Sequence, residues 1–89
     1  LNSNGNYTIA NAYTVANSSS AISGTNSLNL SGAGTLNAGT TLNVTNTSGT
    51  ITLSGNIGNS TGAITRNGNG GTLVLSGVNQ YTGATTVTA

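Results

Sequence analysis

The chain has 89 residues, of which Gly, Ser, Thr and Asn make up 57, whereas Leu, Ile and Val together supply 18. Its formal net charge is +1, from a single Arg with no Asp, Glu, Lys or His. That composition allows one small unit, excludes the many phosphate contacts of a nucleic-acid binder and attraction to an anionic membrane, and removes the self-repulsion that keeps many polar chains disordered.

In chain order, the first apolar alternation is Tyr7-Thr8-Ile9, followed by Tyr13, Val15 and Ile22. Leu28-Asn29-Leu30-Ser31-Gly32 comes next, with Leu36 and Leu42 six and twelve residues after Leu30. Ile51-Thr52-Leu53-Ser54-Gly55 is the third copy, followed by Ile57 and Ile64. Leu73-Val74-Leu75-Ser76-Gly77 is the fourth, with Tyr81 and Val87 six and twelve residues after Leu75. The copies begin 21, 23 and 22 residues apart. Alternation with period two predicts short strands, and a repeat near 22 residues predicts that the units stack and share a core.

Three short strands per repeat, separated by Gly, Asn and Ser, describe one coil of a three-sided parallel β-solenoid. Residues 1–89 are read as a single all-β solenoid unit of about four coils, ~19 Å tall at ~4.8 Å per coil. Ile9, Leu28, Leu30, Leu36, Leu42, Ile51, Leu53, Leu73, Leu75 and Val87 are expected to point inward. Leu42 is aligned with Val87 in this reading, and Ile22 and Ile64 occupy the same third position with a slip of one residue. Gly32, Gly55 and Gly77 are expected at corners with φ > 0. Outward rows such as Asn6, Ser27, Thr50 and Thr72, or Ala10, Ser31, Ser54 and Ser76, explain the lack of charge. In a parallel stack like charges would face each other, whereas neutral ladders can hydrogen-bond.

Catalysis lacks its components. There is no carboxylate, imidazole, amine or thiol side chain, so the Ser and Thr hydroxyls have no side-chain base and a metal has no ligand set. Catalytic, cofactor and metal residues are therefore expected to be none. Asn67-Gly68-Asn69-Gly70-Gly71 has no Lys after it and reads as a corner rather than a phosphate cradle. Asn-x-Ser/Thr triplets begin at Asn6, Asn17, Asn29, Asn43, Asn46 and Asn59. Chance alone gives about five in this composition, so they carry no information on glycosylation.

Two residues stand as candidate binding groups. Arg66 could hold a partner's carboxylate or a sugar, although a solvated turn residue is the expected role. Tyr13 could stack on a sugar ring, as could Tyr7 and Tyr81, but those two occupy strand or repeat positions and are expected to pack in the core or at a corner. Thr-rich stretches such as Thr50-Ile51-Thr52 resemble those of ice-binding solenoids, but the row does not persist: the position of Thr52 is Asn29 in one coil and Val74 in another. No apolar run exceeds Leu73-Val74-Leu75, far short of the ~20 residues of a membrane helix. No signal segment opens the chain, which begins without Met and reads as a processed product or an excised fragment.

Residues 51–89 resemble the passenger-associated repeat of autotransporter proteins. The resemblance is carried by Leu73-Val74-Leu75-Ser76-Gly77, Asn79, Tyr81-Thr82-Gly83, Thr85 and Val87, preceded by Ile51-Thr52-Leu53-Ser54-Gly55-Asn56-Ile57 and Arg66-Asn67-Gly68. It implies a right-handed parallel β-helix and a non-catalytic stalk or scaffold segment of a secreted or surface-displayed protein. It also implies a location outside the Gram-negative outer membrane. The competing expectations are a subunit that assembles into an extracellular filament and an adhesin or glycan-binding module.

The two ends bear on the partner. Leu1-Asn2-Ser3-Asn4 offers no charge or Pro to repel a neighbour, and Thr85-Thr86-Val87-Thr88-Ala89 reads as a strand running to the last residue. Such ends are expected to be covered by flanking coils of the same polypeptide or by further copies stacked head to tail. A host receptor or glycan is a further possible partner, and no direct membrane insertion is expected.

Overall fold

A computed structural model describes residues 1–3, 5–17, 20–58, 60–67 and 70–87. Among them there is no helix, as expected of segments rich in Thr, Asn, Ser and Gly. The strands are β1 (Asn2–Ser3), β2 (Tyr7–Ile9), β3 (Tyr13–Val15), β4 (Ala21–Gly24), β5 (Leu28–Leu30) and β6 (Gly34–Leu36). They continue as β7 (Thr41–Val44), β8 (Thr50–Leu53), β9 (Ala63–Arg66), β10 (Thr72–Leu75) and β11 (Thr85–Val87).

The coils stack into three faces, and every pairing between strands is parallel. The first face is β2-β5-β8-β10 and the third is β1-β4-β7-β9-β11. The second is the short pair β3-β6, extended by single bridges from Gly34 to Ile57 and from Ser60 to Tyr81. The chain is thus a β-solenoid of coils of about 22 residues, with four rungs on the first face and three turns between β2 and β10.

The core follows from the register. On the first face Tyr7, Leu28, Ile51 and Leu73 form one inward column and Ile9, Leu30, Leu53 and Leu75 the next. Leu28, Leu30, Leu36, Leu42, Ile51 and Leu53 are buried as expected, together with Val15, Ile22, Val44, Ile57 and Ile64. Ile9, Leu73 and Leu75 are half-buried and pack against that cluster. Ile57 falls in register with Gly34 and Tyr13, and it lies four residues after Leu53 as Tyr13 lies four after Ile9.

Three expectations are corrected. Val87 is 70% exposed, because it lies on β11, the outermost strand of the third face. It is also not the counterpart of Leu42. That face carries two inward columns, Leu42-Ile64-Thr85 and Ile22-Val44-Arg66-Val87, so the slip of one residue was two positions merged into one. The third correction concerns the corners. Positive φ occurs at Gly24, Gly39, Gly49 and Gly70 and not at Gly32, Gly55 or Gly77. Those three are glycine because a carbonyl of the coil below stands where a Cβ would be: Asn11 O at 2.2 Å from the Gly32 position, Gly32 O at 2.0 Å from Gly55 and Gly55 O at 2.2 Å from Gly77.

The polar rows form ladders. Asn6 Oδ1 accepts the Ser27 N–H at 2.9 Å, and the Ser27 hydroxyl in turn accepts the Thr50 N–H at 3.0 Å. Asn79 Oδ1 accepts the Ile57 N–H at 3.2 Å, and Asn56 Oδ1 the Val78 N–H at 2.8 Å. Asn4, Gly68, Asn69, Thr88 and Ala89, which belong to the motif and end segments read above, lie outside the described residues, as does the triplet start Asn59.

Candidate functional site

The sole cation does not sit at a solvated turn. Arg66 ends β9, where alternation turns Ala63 and Thr65 outward and Ile64 and Arg66 inward, and its side chain is only 5% exposed. It takes the place of an aliphatic residue in the column above Val44. Burial of a cation demands compensation, and the chain has no acidic side chain to supply it. Backbone dipoles do so instead: Nη1 donates to Val44 O at 2.9 Å and Nη2 to Asn46 O at 2.8 Å.

Asn46 completes the cluster. Fully buried, it donates through Nδ2 to Ser48 O at 3.2 Å and Gly49 O at 3.1 Å, which closes the corner between β7 and β8. Its Oδ1 is buried with no hydrogen-bond partner among the described residues. Gly71 makes the close approach possible, since a Cβ there would lie 2.4 Å from Asn46 Nδ2 and 2.7 Å from Arg66 Nη2. Gly71 therefore lies directly against the buried guanidinium. Beside it, a cavity of about 290 Å³ is lined by Arg66, Leu73, Leu75, Thr85 and Val87.

Tyr13 lies elsewhere. It begins β3 on the first coil, half-buried, with its ring over Gly34, where a Cβ would stand 2.4 Å from the phenol carbon and oxygen. It lines a separate cavity of about 310 Å³, mostly apolar, with Leu1, Ile9, Val15, Ile22 and Leu42. Burial pushes its phenol pKa up. The two candidate binding residues are on different coils and line different cavities, so they do not form one site.

The other tyrosines divide. Tyr81 is half-buried against the core and shares a hydrogen bond with the Thr85 hydroxyl. Tyr7 stands at an inward register position but is 59% exposed, because it lies on the outermost strand of the first face. The Thr8-Asn29-Thr52-Val74 row is now seen in register on that face, and its chemistry changes from rung to rung.

Asn46 and Val44 were not singled out in the sequence. The alternation Leu42, Val44, Asn46 was the available signal, because it places all three on one face. Compared with protein-family models, curated protein sequences and solved structures, the chain matches none.

Proposed function

We propose that the chain is a non-catalytic scaffold, a rigid stretch of stalk in a secreted or surface-displayed bacterial protein of the autotransporter passenger kind. The observation that carries this reading is where the polar side chains are committed. Asn6, Ser27, Ser48, Ser54, Asn56, Asn79 and Thr82 all bond to a neighbouring coil, 21 to 25 residues away in sequence. The one cation is turned inward onto carbonyls of the coil below. Side chains used in this way stiffen a stack and leave few groups to recognise or transform a small molecule.

The test pairs location with recognition. An antibody against the chain should label intact cells of the source bacterium; labelling only after permeabilisation contradicts surface display. On a glycan array the purified chain should show no saturable binding. Saturable binding lost on Tyr13→Ala would replace the scaffold with a recognition module.

A further inference from the structure

Arg66 is the only Lys or Arg in the 89 residues, so a protease that cuts after a basic side chain has one peptide bond here to attack, Arg66–Asn67. Such an enzyme seats the basic side chain in its specificity pocket and brings the amide that follows to its catalytic serine and histidine. The fold withholds both. Arg66 is buried on β9, in register with Val44 of β7 on one side and Val87 of β11 on the other.

One acceptor holds both parts of the site. Val44 O accepts the Arg66 Nη1–H at 2.9 Å and also the Asn67 N–H, the amide of the bond to be cut, at 2.9 Å. The other arm of the guanidinium is held by Asn46 O at 2.8 Å. Upstream, the Ala63 N–H donates to Thr40 O at 2.9 Å and the Ile64 N–H to Ala84 O at 3.1 Å, which ties β9 to the strands on both sides. Withdrawing the side chain takes a donor from two carbonyls and empties the column between Val44 and Val87, and fitting the backbone to a protease breaks the Asn67 bond as well. A rotamer change at Arg66 is therefore not enough; β9 must leave its sheet.

We infer that Arg66–Asn67 is a fold-gated cleavage site for proteases of trypsin-like specificity, withheld by the stacked coils and released when the third face opens. In the opened chain the protease serine attacks the Arg66 carbonyl carbon. The protease histidine takes the serine proton and delivers it to the Asn67 nitrogen as the C–N bond breaks, and water then hydrolyses the acyl-enzyme to leave a carboxylate on Arg66. The gate is made of contacts between coils within the chain and does not rest on the scaffold reading. Loss of stacking is thereby converted into one defined cut.

The test uses trypsin on the 89-residue chain and on its Arg66→Lys variant, each against a free peptide of residues 60–72 with the same residue at 66 as the open reference. Mass spectrometry identifies the cut, and circular dichroism checks that the variant keeps the parent β signal. The peptide should be cut at least about 10³-fold faster than the parent chain, because cleavage follows the small population of opened chains. That ratio should fall roughly fivefold per molar urea below the unfolding transition, since opening exposes surface. Lys still fits the protease but lacks the fork that reaches both carbonyls, so Arg66→Lys should be protected about tenfold less against its own peptide. A parent cut within about tenfold of its peptide, a ratio that does not respond to urea, or an Arg66→Lys chain as well protected as the parent would each overturn the inference.

Discussion

Arg66 and Val44 stand in register on adjacent strands of the third face, and the guanidinium of the one donates to the main-chain carbonyl of the other at 2.9 Å. A cation here occupies a column that is aliphatic on both sides, with Val44 beneath and Val87 above. Its contribution has two parts, the volume of its stem and the bond that satisfies the carbonyl of Asn46.

Those two parts separate by substitution. Arg66→Ala removes both and should cost about 2–4 kcal/mol, a fall in Tm of roughly 10 °C or more for a domain of this size. Arg66→Met keeps most of the stem and removes a desolvated charge, so it should stay within about 1–2 kcal/mol of the parent. Thermal unfolding followed by circular dichroism measures both. Equal, negligible losses would show that the guanidinium is solvated after all.

The glycines make a sharper comparison, because three of them differ in what an added Cβ would meet. Gly55→Ala drives a Cβ to 2.0 Å from a main-chain oxygen and should cost more than about 3 kcal/mol. Gly39 has φ +74° with nothing within 4 Å of the Cβ position, so Gly39→Ala should cost only about 1–2 kcal/mol of left-handed strain. Gly58 has ordinary φ and its nearest neighbour is 3.8 Å away. Gly58→Ala should therefore be neutral or stabilising by about 0.5 kcal/mol, through the reduced freedom of the unfolded chain. Urea unfolding of the three variants should rank them in that order, and a Gly55→Ala variant no worse than Gly39→Ala would contradict the close coil contact.

Stability should be nearly independent of pH from about 5 to 7, because no side chain of this composition titrates there. At the alkaline end Tyr13 matters. Burial favours its neutral phenol, so the folded chain holds that proton to higher pH than the unfolded chain does. Its contribution is fully present below the unfolded tyrosine's pKa of about 10 and is lost as pH rises beyond it. Urea midpoints at pH 6, 9 and 11 should show a decline confined to the last step, and Tyr13→Phe should reduce that decline. A decline unchanged in Tyr13→Phe would assign it to another group.

The columns Leu28-Ile51-Leu73 and Leu30-Leu53-Leu75 were legible in the sequence because strand alternation and repeat length agree there. The third face was harder to read. Its two inward columns, one through Leu42 and one through Val44, are two residues apart in each coil, and spacing alone merged them. Arg66 was misread because its chemistry suggested water, although its parity with Ile64 placed it inward. Gly32, Gly55 and Gly77 were found as a repeat but given the wrong cause, since left-handed backbone and a missing Cβ leave the same letter in the sequence. Asn46 was hidden among fifteen asparagines, with nothing in its residue type to mark it as buried.

The most direct measurement is on Leu53, fully buried at the centre of the first face, with Thr52 beside it as an outward control. Leu53→Asp places an unpaired carboxylate between coils, a cost of several kcal/mol that a unit of 89 residues cannot absorb, whereas Thr52→Asp leaves the charge at the outer surface. The stacked parallel solenoid predicts that Leu53→Asp loses its β circular-dichroism signal and cooperative melting while Thr52→Asp keeps both. A Leu53→Asp chain that melts within a few degrees of the parent, or a Thr52→Asp chain that unfolds instead, would contradict the register on which the whole account is built.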